Sequence, residues 1–409
     1  MSSLKICLAG LALALTGCAS DAPELQQEKP AACAAAGTMT DLLAMQAAVK
    51  EHMAYPLGGG VPVDDVVDRL RARAAAVTDD TEHLRVLESF VYSLGDHHAH
   101  LSTNDKLSPR LVPTGATVWV EWRAQKLVVT EVREAAALAG LKAGMVIEKI
   151  DGVPVAQVLS PPLSVPDRLD AMMGFAGRVK LAGTREHAVV VSAAAPDGPV
   201  RDITIPAGVP AGGEALASIS YPREGVAVIR LNNSIGNTDL NPVFDGLMKK
   251  ARQARTIILD LRDTPSGGDS VVAKPLMAWF VDGTKGYQKH ERDGRSWVEQ
   301  VQGRKDHFKG KLVVLIDHWT GSMGEGTAIG LRAAAGATLV GTPMAGLRGA
   351  IESFDVPCFG VSLRIPVERL YEVGGAPREL AQPDVLVSEE DLAQGTGDVI
   401  LQRALSLAL

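Results

Sequence analysis

Several things are missing from this 409-residue chain, and each absence excludes something. It has no internal repeat and no run of like charges, so it is neither a repeat array nor the carrier of a charged tail. It has no basic excess: 41 Lys and Arg against 48 Asp and Glu give a formal net charge of −7, which gives no support for nucleic acid as a partner. Beyond the N-terminus no segment is long and apolar enough to span a membrane, which predicts a soluble body. Cysteine is scarce, with four residues in all. Cys7 and Cys18 belong to the N-terminal leader region, leaving Cys33 and Cys358, and the sequence leaves open whether these two form a disulfide or stay as separate thiols. What is present is ordinary: 46% hydrophobic and 22% charged residues describe a globular protein, long enough for two or three domains.

The N-terminus carries an address. Met1 to Lys5 is weakly positive, and Ile6 to Leu15 is an apolar stretch too short to cross a bilayer. It ends in Leu15-Thr16-Gly17-Cys18, which resembles a bacterial lipobox. The resemblance implies a leader over 1–17, a lipidated Cys18 as first mature residue and a polar tether over 18–38. Ala19 and Ser20 follow the cysteine without an Asp, which by the same resemblance favours the outer membrane and places the body on the periplasmic side of the envelope.

Three regions follow. Residues 39–105 show helical spacing, with Thr40 or Asp41 as a cap, and end at Gly95-Asp96-His97-His98. Residues 106–206 turn to short alternating runs such as Val118–Trp122 and Lys126–Val132, which read as strands. Within them, Ala135 to Val155 resembles the second half of a PDZ domain, which implies peptide capture at a sheet edge or a spacer whose groove is blocked. Arg178 to Pro206 is expected to add two strands around the Asp197-Gly198 turn. Residues 214–409 alternate near-continuous apolar strands (225–231, 256–262, 312–316) with helical segments (241–254, 270–280), the pattern of an α/β core with buried strands.

Ser322 stands at a corner in that core. The run Leu312–Ile316 stops in a small-residue turn, and a helix-like segment, Gly326–Ala335, follows. Backbone N–H groups at a helix start have no internal partner, and the dipole there favours developing negative charge, so the corner suits a nucleophilic serine. Thr320 stands where the Gly-x-Ser-x-Gly elbow of an α/β-hydrolase needs glycine, which disfavours that fold.

Three segments together, Ile257–Asp269 with its Asp-Leu-Arg…Gly267-Gly268 turn, the Ser322 turn with Glu325 three residues on, and Leu339 to Pro383-Asp384, resemble the S41 family of serine peptidases, the tail-specific and tricorn-core-like proteases. The resemblance implies a crotonase-like (ClpP/crotonase) α/β core behind a PDZ-like module. It implies a serine peptidase acting on peptides or unfolded proteins, with Ser322 as nucleophile and Gly267, Gly268 and Met323 as oxyanion donors. Pro265 stands where the family often has Asn.

The base separates the branches. The tail-specific branch uses a Lys in a Gly-Lys-Gly turn, but here Leu347 holds that place, and the guanidinium of Arg348 cannot deprotonate. The tricorn-like branch takes a His from a motif resembling Leu-x-Asp-x-His-Thr. Leu94-Gly-Asp-His-His98 matches it, so His98 is the expected base, with Glu379 as a weaker match to a supporting carboxylate. His318 is a rival base. Glu325 can line the site or support the helix start. A metal set from Asp96, His97, His98 and His100 would need a further ligand, and no His-Glu-x-x-His pattern exists, so neither metal nor organic cofactor is expected. His52, His83, His187, His290 and His307 have no motif and read as surface residues. A second class of function is a catalytically weak binding protein that keeps the fold and captures peptides.

Overall fold

The computed structural model describes residues 33–57, 62–133, 136–137, 139–161, 168–207 and 215–408. The leader, Cys18 and most of the tether lie outside the described residues.

The N-terminal region is helical, with α1 (Cys33–His52), α2 (Val63–Ala75) and α3 (Asp80–Ser93), and ends in a short strand β1 (His100–Leu101). Apolar residues at helical spacing in α2 (Val63, Val66, Val67, Leu70, Ala74) face inward. Asp79 caps α3 by accepting the Glu82 N–H at 2.9 Å. Helix α1 starts at Cys33, earlier than the expected cap. Asp41 sits inside it, buried, with its carboxylate accepting the N–H groups of Cys358 and Phe359 at 2.7 and 2.8 Å. Cys33 and Cys358 form a disulfide, which resolves the open cysteine question.

The region expected to be PDZ-like is an antiparallel sheet of β2 (Val118–Arg123), β3 (Lys126–Val132), β4 (Val146–Ile150), β6 (Val189–Ala194) and β7 (Arg201–Ile205), in the order β2-β3-β4-β6-β7, with β5 (Val153–Pro154) added to β4. The expected strand pair around Asp197-Gly198 is present as β6 and β7. Helix α4 (Leu169–Ala182) was not legible in advance: Arg178, read as the approach to a strand, lies inside it. α4 covers the free edge of β2. A Cβ on Gly174 would stand 3.5 Å from the Trp122 nitrogen, and Arg178 Nη1 donates to the Val120 carbonyl at 3.0 Å. With α4 against the β2 backbone, the geometry favours the blocked-groove alternative.

The C-terminal core is a six-stranded sheet. It contains β8 (Ala217–Arg223), β9 (Val226–Leu231), β10 (Thr256–Asp260), β13 (Lys311–Ile316), β14 (Thr338–Gly341) and β17 (Val385–Leu386), ordered β17-β14-β13-β10-β9-β8. All neighbours are parallel except β8 on β9. Helices α5 (Leu240–Lys250), α6 (Ser270–Met277) and α7 (Met323–Ala335) pack on the face carrying Leu312, Val314 and Ile316, and α8 (Val399–Leu407) packs on the face carrying Val313 and Leu315. Burial on both faces explains why these strands read as unbroken apolar runs.

A second sheet, of order β1-β16-β11-β12, is formed by β1 with β11 (Thr284–Arg292), β12 (Arg295–Gln302) and β16 (Val361–Tyr371), and β15 (Ala350–Val356) pairs with β16. The charged stretch 283–310, whose role the sequence left open, is the β11–β12 hairpin of this sheet. The sheet also seats the N-terminal region: β1 pairs with β16, and Leu42, Leu87 and Phe90 share a core with Val356, Leu363 and Ile365.

Candidate active site

Strand β13 delivers its chain into a turn that ends at Ser322, and α7 begins at Met323. Ser322 has φ +50° and ψ −111°, a sparsely populated conformation for a side-chain-bearing residue that costs about 1–3 kcal/mol. Neighbouring turns hold it there. The Thr264 carbonyl accepts the N–H groups of both Gly267 and Gly321, at 3.0 and 3.2 Å, and so ties the turn after β10 to the turn after β13. Glu325, fully buried one turn into α7, accepts the Ser322 N–H at 2.7 Å. This carboxylate holds the Ser322 backbone, which is the support at the helix start that the sequence offers as one of two readings.

The Gly267-Gly268 turn presses against the serine. Gly267 has φ +65°, and a Cβ there would stand 2.5 Å from Ser322 Cβ. A Cβ on Gly268 would stand 2.3 Å from the Ile235 carbonyl carbon. Only glycine allows this approach. The oxyanion set is narrower than expected, however. The Gly267 N–H is already spent on the Thr264 carbonyl. Met323 opens α7 and so has no carbonyl within the helix, and the Gly268 N–H has no acceptor among the described residues. Those two remain as the donors beside Ser322.

His98 comes from the far end of the sequence. Asp96 Oδ1 accepts the His98 N–H at 2.8 Å, and β1 on β16 fixes the chain just beyond. The imidazole Nδ1 lies 2.6 Å from the Arg348 carbonyl. A carbonyl can only accept, so Nδ1 carries the proton and Nε2 is left as the basic nitrogen. Burial pulls the His98 pKa down to about 3, against the opposing pull of the Arg348 carbonyl.

The turn 346–349 joins the two halves. Glu325 Oε1 accepts the Gly346 N–H at 3.0 Å, while its other oxygen holds Ser322. Buried Arg378 donates from Nη2 to the carbonyls of Leu347 and Gly349 at 2.8 and 3.0 Å. The Ser322 backbone and the His98 ring are therefore tied indirectly, by hydrogen bonds at Glu325 and at the Arg348 carbonyl with the 346–348 chain between them, and among the described residues no hydrogen bond joins the two side chains. Burial raises the Glu325 pKa to about 7, opposed by Arg378 and the backbone donors. The Leu347 side chain would lie 3.3 Å from a Cβ on Gly321, next to the nucleophile, and belongs to an apolar cluster with Trp319 and Ala345. The place a Ser–Lys dyad needs is thus filled with hydrocarbon.

Other candidates go elsewhere. His318 Nδ1 donates to Glu131 of β3 at 2.5 Å and its ring stacks on Trp119, so it clamps the second region to the core. His97 Nε2 accepts from Arg178 Nε at 3.0 Å, and His100 Nδ1 donates to the His98 carbonyl at 2.9 Å, so the rings of 97, 98 and 100 have three different partners. No hydrogen bond joins Glu379 to His98. Its buried Oε2 has no partner, and its charge acts on Tyr55 and Asp96 instead. Two histidines read as surface residues are carboxylate-paired: His83 with Asp41 at 3.0 Å and His290 with Glu368 at 2.9 Å. A cavity of about 100 Å³ opens beside the histidine turn, lined by Tyr92, His97, His100 and Phe175 among others. Neither Ser322 nor His98 lines it, so it is distinct from the reacting centre.

Residues 225–387, which contain Ser322, the glycine turn, Glu325, Arg348 and Glu379, match the family described as Peptidase family S41. No curated protein sequence matches significantly. The fold is shared with the photosystem II D1 C-terminal processing protease (15% identity, TM-score 0.55, covering 89% of this chain and 99% of that one). It is also shared with mature CPAF (13% identity, TM-score 0.59, covering 91% and 96%). The core of the chain, residues 225–387, is accordingly a peptidase family S41 domain.

Proposed function

We propose that the protein is a serine endopeptidase of the bacterial cell envelope that hydrolyses peptide bonds in peptides or unfolded proteins through an acyl-enzyme on Ser322. Ser322 Oγ attacks the peptide carbonyl carbon and passes its proton to His98 Nε2. The carbonyl oxygen, now negative, is met by the N–H groups of Met323 and Gly268. His98 then gives the proton to the leaving amine as the C–N bond breaks. Water, deprotonated by the same nitrogen, releases the acyl group and restores the serine.

The observation that carries this reading is the His98 Nδ1 to Arg348 carbonyl bond, because it fixes the tautomer a base requires on the same turn that Glu325 ties to Ser322. The third partner of the unit is therefore a neutral carbonyl in the place where Glu379 was expected. A carbonyl orients the ring as a carboxylate would, but it stabilises the imidazolium less. The Cys33–Cys358 disulfide supports an oxidising compartment, in line with the periplasmic location and the Cys18 anchor expected from the leader. The covered β2 edge speaks against the rival reading of a peptide-capturing protein.

A fluorophosphonate probe tests the proposal. Labelling of the purified protein that is lost in both Ser322→Ala and His98→Ala is the expected result. A folded wild-type protein that never labels would overturn it.

A further inference from the structure

Three buried polar atoms from three separate segments gather around the His98 turn without hydrogen-bond partners, Asp96 Oδ2, Arg348 Nη1 and Glu379 Oε2, and the Tyr55 hydroxyl, with the Leu370 backbone beside it, lies among them. Leaving one such atom unpaired costs about 1–3 kcal/mol, so a cluster of them points to a purpose. Asp96 Oδ2 and Arg348 Nη1 face each other at 3.9 Å, too far for a direct hydrogen bond and within the span that one water bridges. The Arg348 guanidinium also lies 5.7 Å from the centre of the Tyr55 ring.

The same two residues hold the histidine. Asp96 Oδ1 accepts the His98 backbone N–H, and the Arg348 carbonyl accepts its ring N–H. We propose that Asp96 and Arg348, joined through a bridging water in a polar chamber completed by Tyr55 and Glu379, are the positioning residues of the base. The pair anchors the Arg348 side chain, and that anchor aims its carbonyl at Nδ1. Asp96 in turn fixes the backbone from which the imidazole projects. Asp96 is faced by the charges of Arg348 and Glu379, with the Tyr55 hydroxyl beside them; burial disfavours its ionised form, and the guanidinium is the one charge that favours it, helped by the backbone N–H groups of His98 and Ala99. Removal of Arg348 therefore strands a buried carboxylate next to the base. The inference rests on the role of His98 proposed above.

The experiment compares the wild type with Arg348→Ala, Asp96→Asn and the double variant Asp96→Asn/Arg348→Met. It reads Ser322 acylation by a fluorophosphonate, kcat and KM on casein, and the ¹⁵N signals of the His98 ring in histidine-labelled protein. Arg348→Ala is expected to slow acylation and kcat about 100-fold with KM retained, and to shift the His98 Nδ1 signal. The double variant, which removes the stranded charge and keeps an Oδ1 acceptor but also lacks the anchor, is expected to recover part of that loss and to stay clearly slower than the wild type. A wild-type rate and an unmoved His98 signal in folded Arg348→Ala would overturn the proposal, as would a double variant that acylates at the wild-type rate. If Arg348→Ala does not fold, Asp96→Asn decides alone: a slower rate with a shifted signal supports the pair, and no change in either rejects it. A wild type that never acylates removes the peptidase reading, while the ring signals still report whether the pair positions His98.

Discussion

The two halves of the site are built in opposite ways. Ser322 is held by contiguous chain: its own strand, its own helix and the turn of the adjacent parallel strand β10, all within one buried sheet. His98 is held by a carbonyl 250 residues away, by a two-residue strand on β16 and by helices that share a core with the β15–β16 hairpin. Ser322 is therefore preorganised by connectivity and His98 by docking. A perturbation of the docking should remove the base and leave the serine corner intact, whereas the reverse is harder because the 346–349 turn hangs on Glu325.

The largest expected effect tests whether the halves act as one unit. Ser322→Ala and His98→Ala should each lower kcat on casein by about 10⁴-fold or more, and the double variant should be no slower than either single one. Losses that multiply would break the picture. Gly267→Ala comes next. Its new Cβ collides with Ser322 Cβ at a positive φ, and acylation is expected to fall about 10²–10³-fold, the scale of a misplaced oxyanion site, with His98 chemistry untouched.

Cys358→Ser attacks only the docked half. It should destabilise that half by about 2–5 kcal/mol, seen as faster amide exchange in α1–α3 while β13 and α7 keep their protection. Equal loosening of both would erase the contrast. Glu325→Gln attacks the serine half. An amide can accept one of the two N–H bonds but turns a donor toward the other, so a loss of about 1–3 kcal/mol is expected in urea unfolding.

The pH effects have opposite signs. His98 falls from 6.5 to about 3 on folding, so between those values the unfolded chain binds more protons and stability declines as pH drops through the window. For the same reason the acid limb of kcat/KM should lie below 6.5. Glu325 rises from 4.5 to about 7, so the native state binds more protons between them and stability declines as pH rises through that range. Replacing each residue in turn and recording stability against pH should remove one slope at a time.

The core was legible because its strands are buried on both faces and its helices lie between them, so periodicity and composition agreed over 225–231, 256–260 and 311–316. Helix α4 was missed because its first residues follow a Pro-rich stretch and its glycines, Gly174 and Gly177, read as breakers, although Gly174 is what lets the helix lie on β2. The hairpin β11–β12 was missed because one of its faces is charged and gives no apolar run. His318 and His98 looked like alternatives in the sequence, and only the partners told them apart: Glu131 for one, the Arg348 carbonyl for the other.

The sequence by itself determined the serine corner, the glycine turn that must crowd it and the absence of a lysine at position 347, because these depend on residue type and short-range geometry. The tertiary structure decided that Gly267 spends its N–H inside the fold, that Glu379 does not reach His98 and that Arg348 supplies the carbonyl that does. Backbone carbonyls are chemically identical along a chain, so which one meets a given imidazole is set by packing alone.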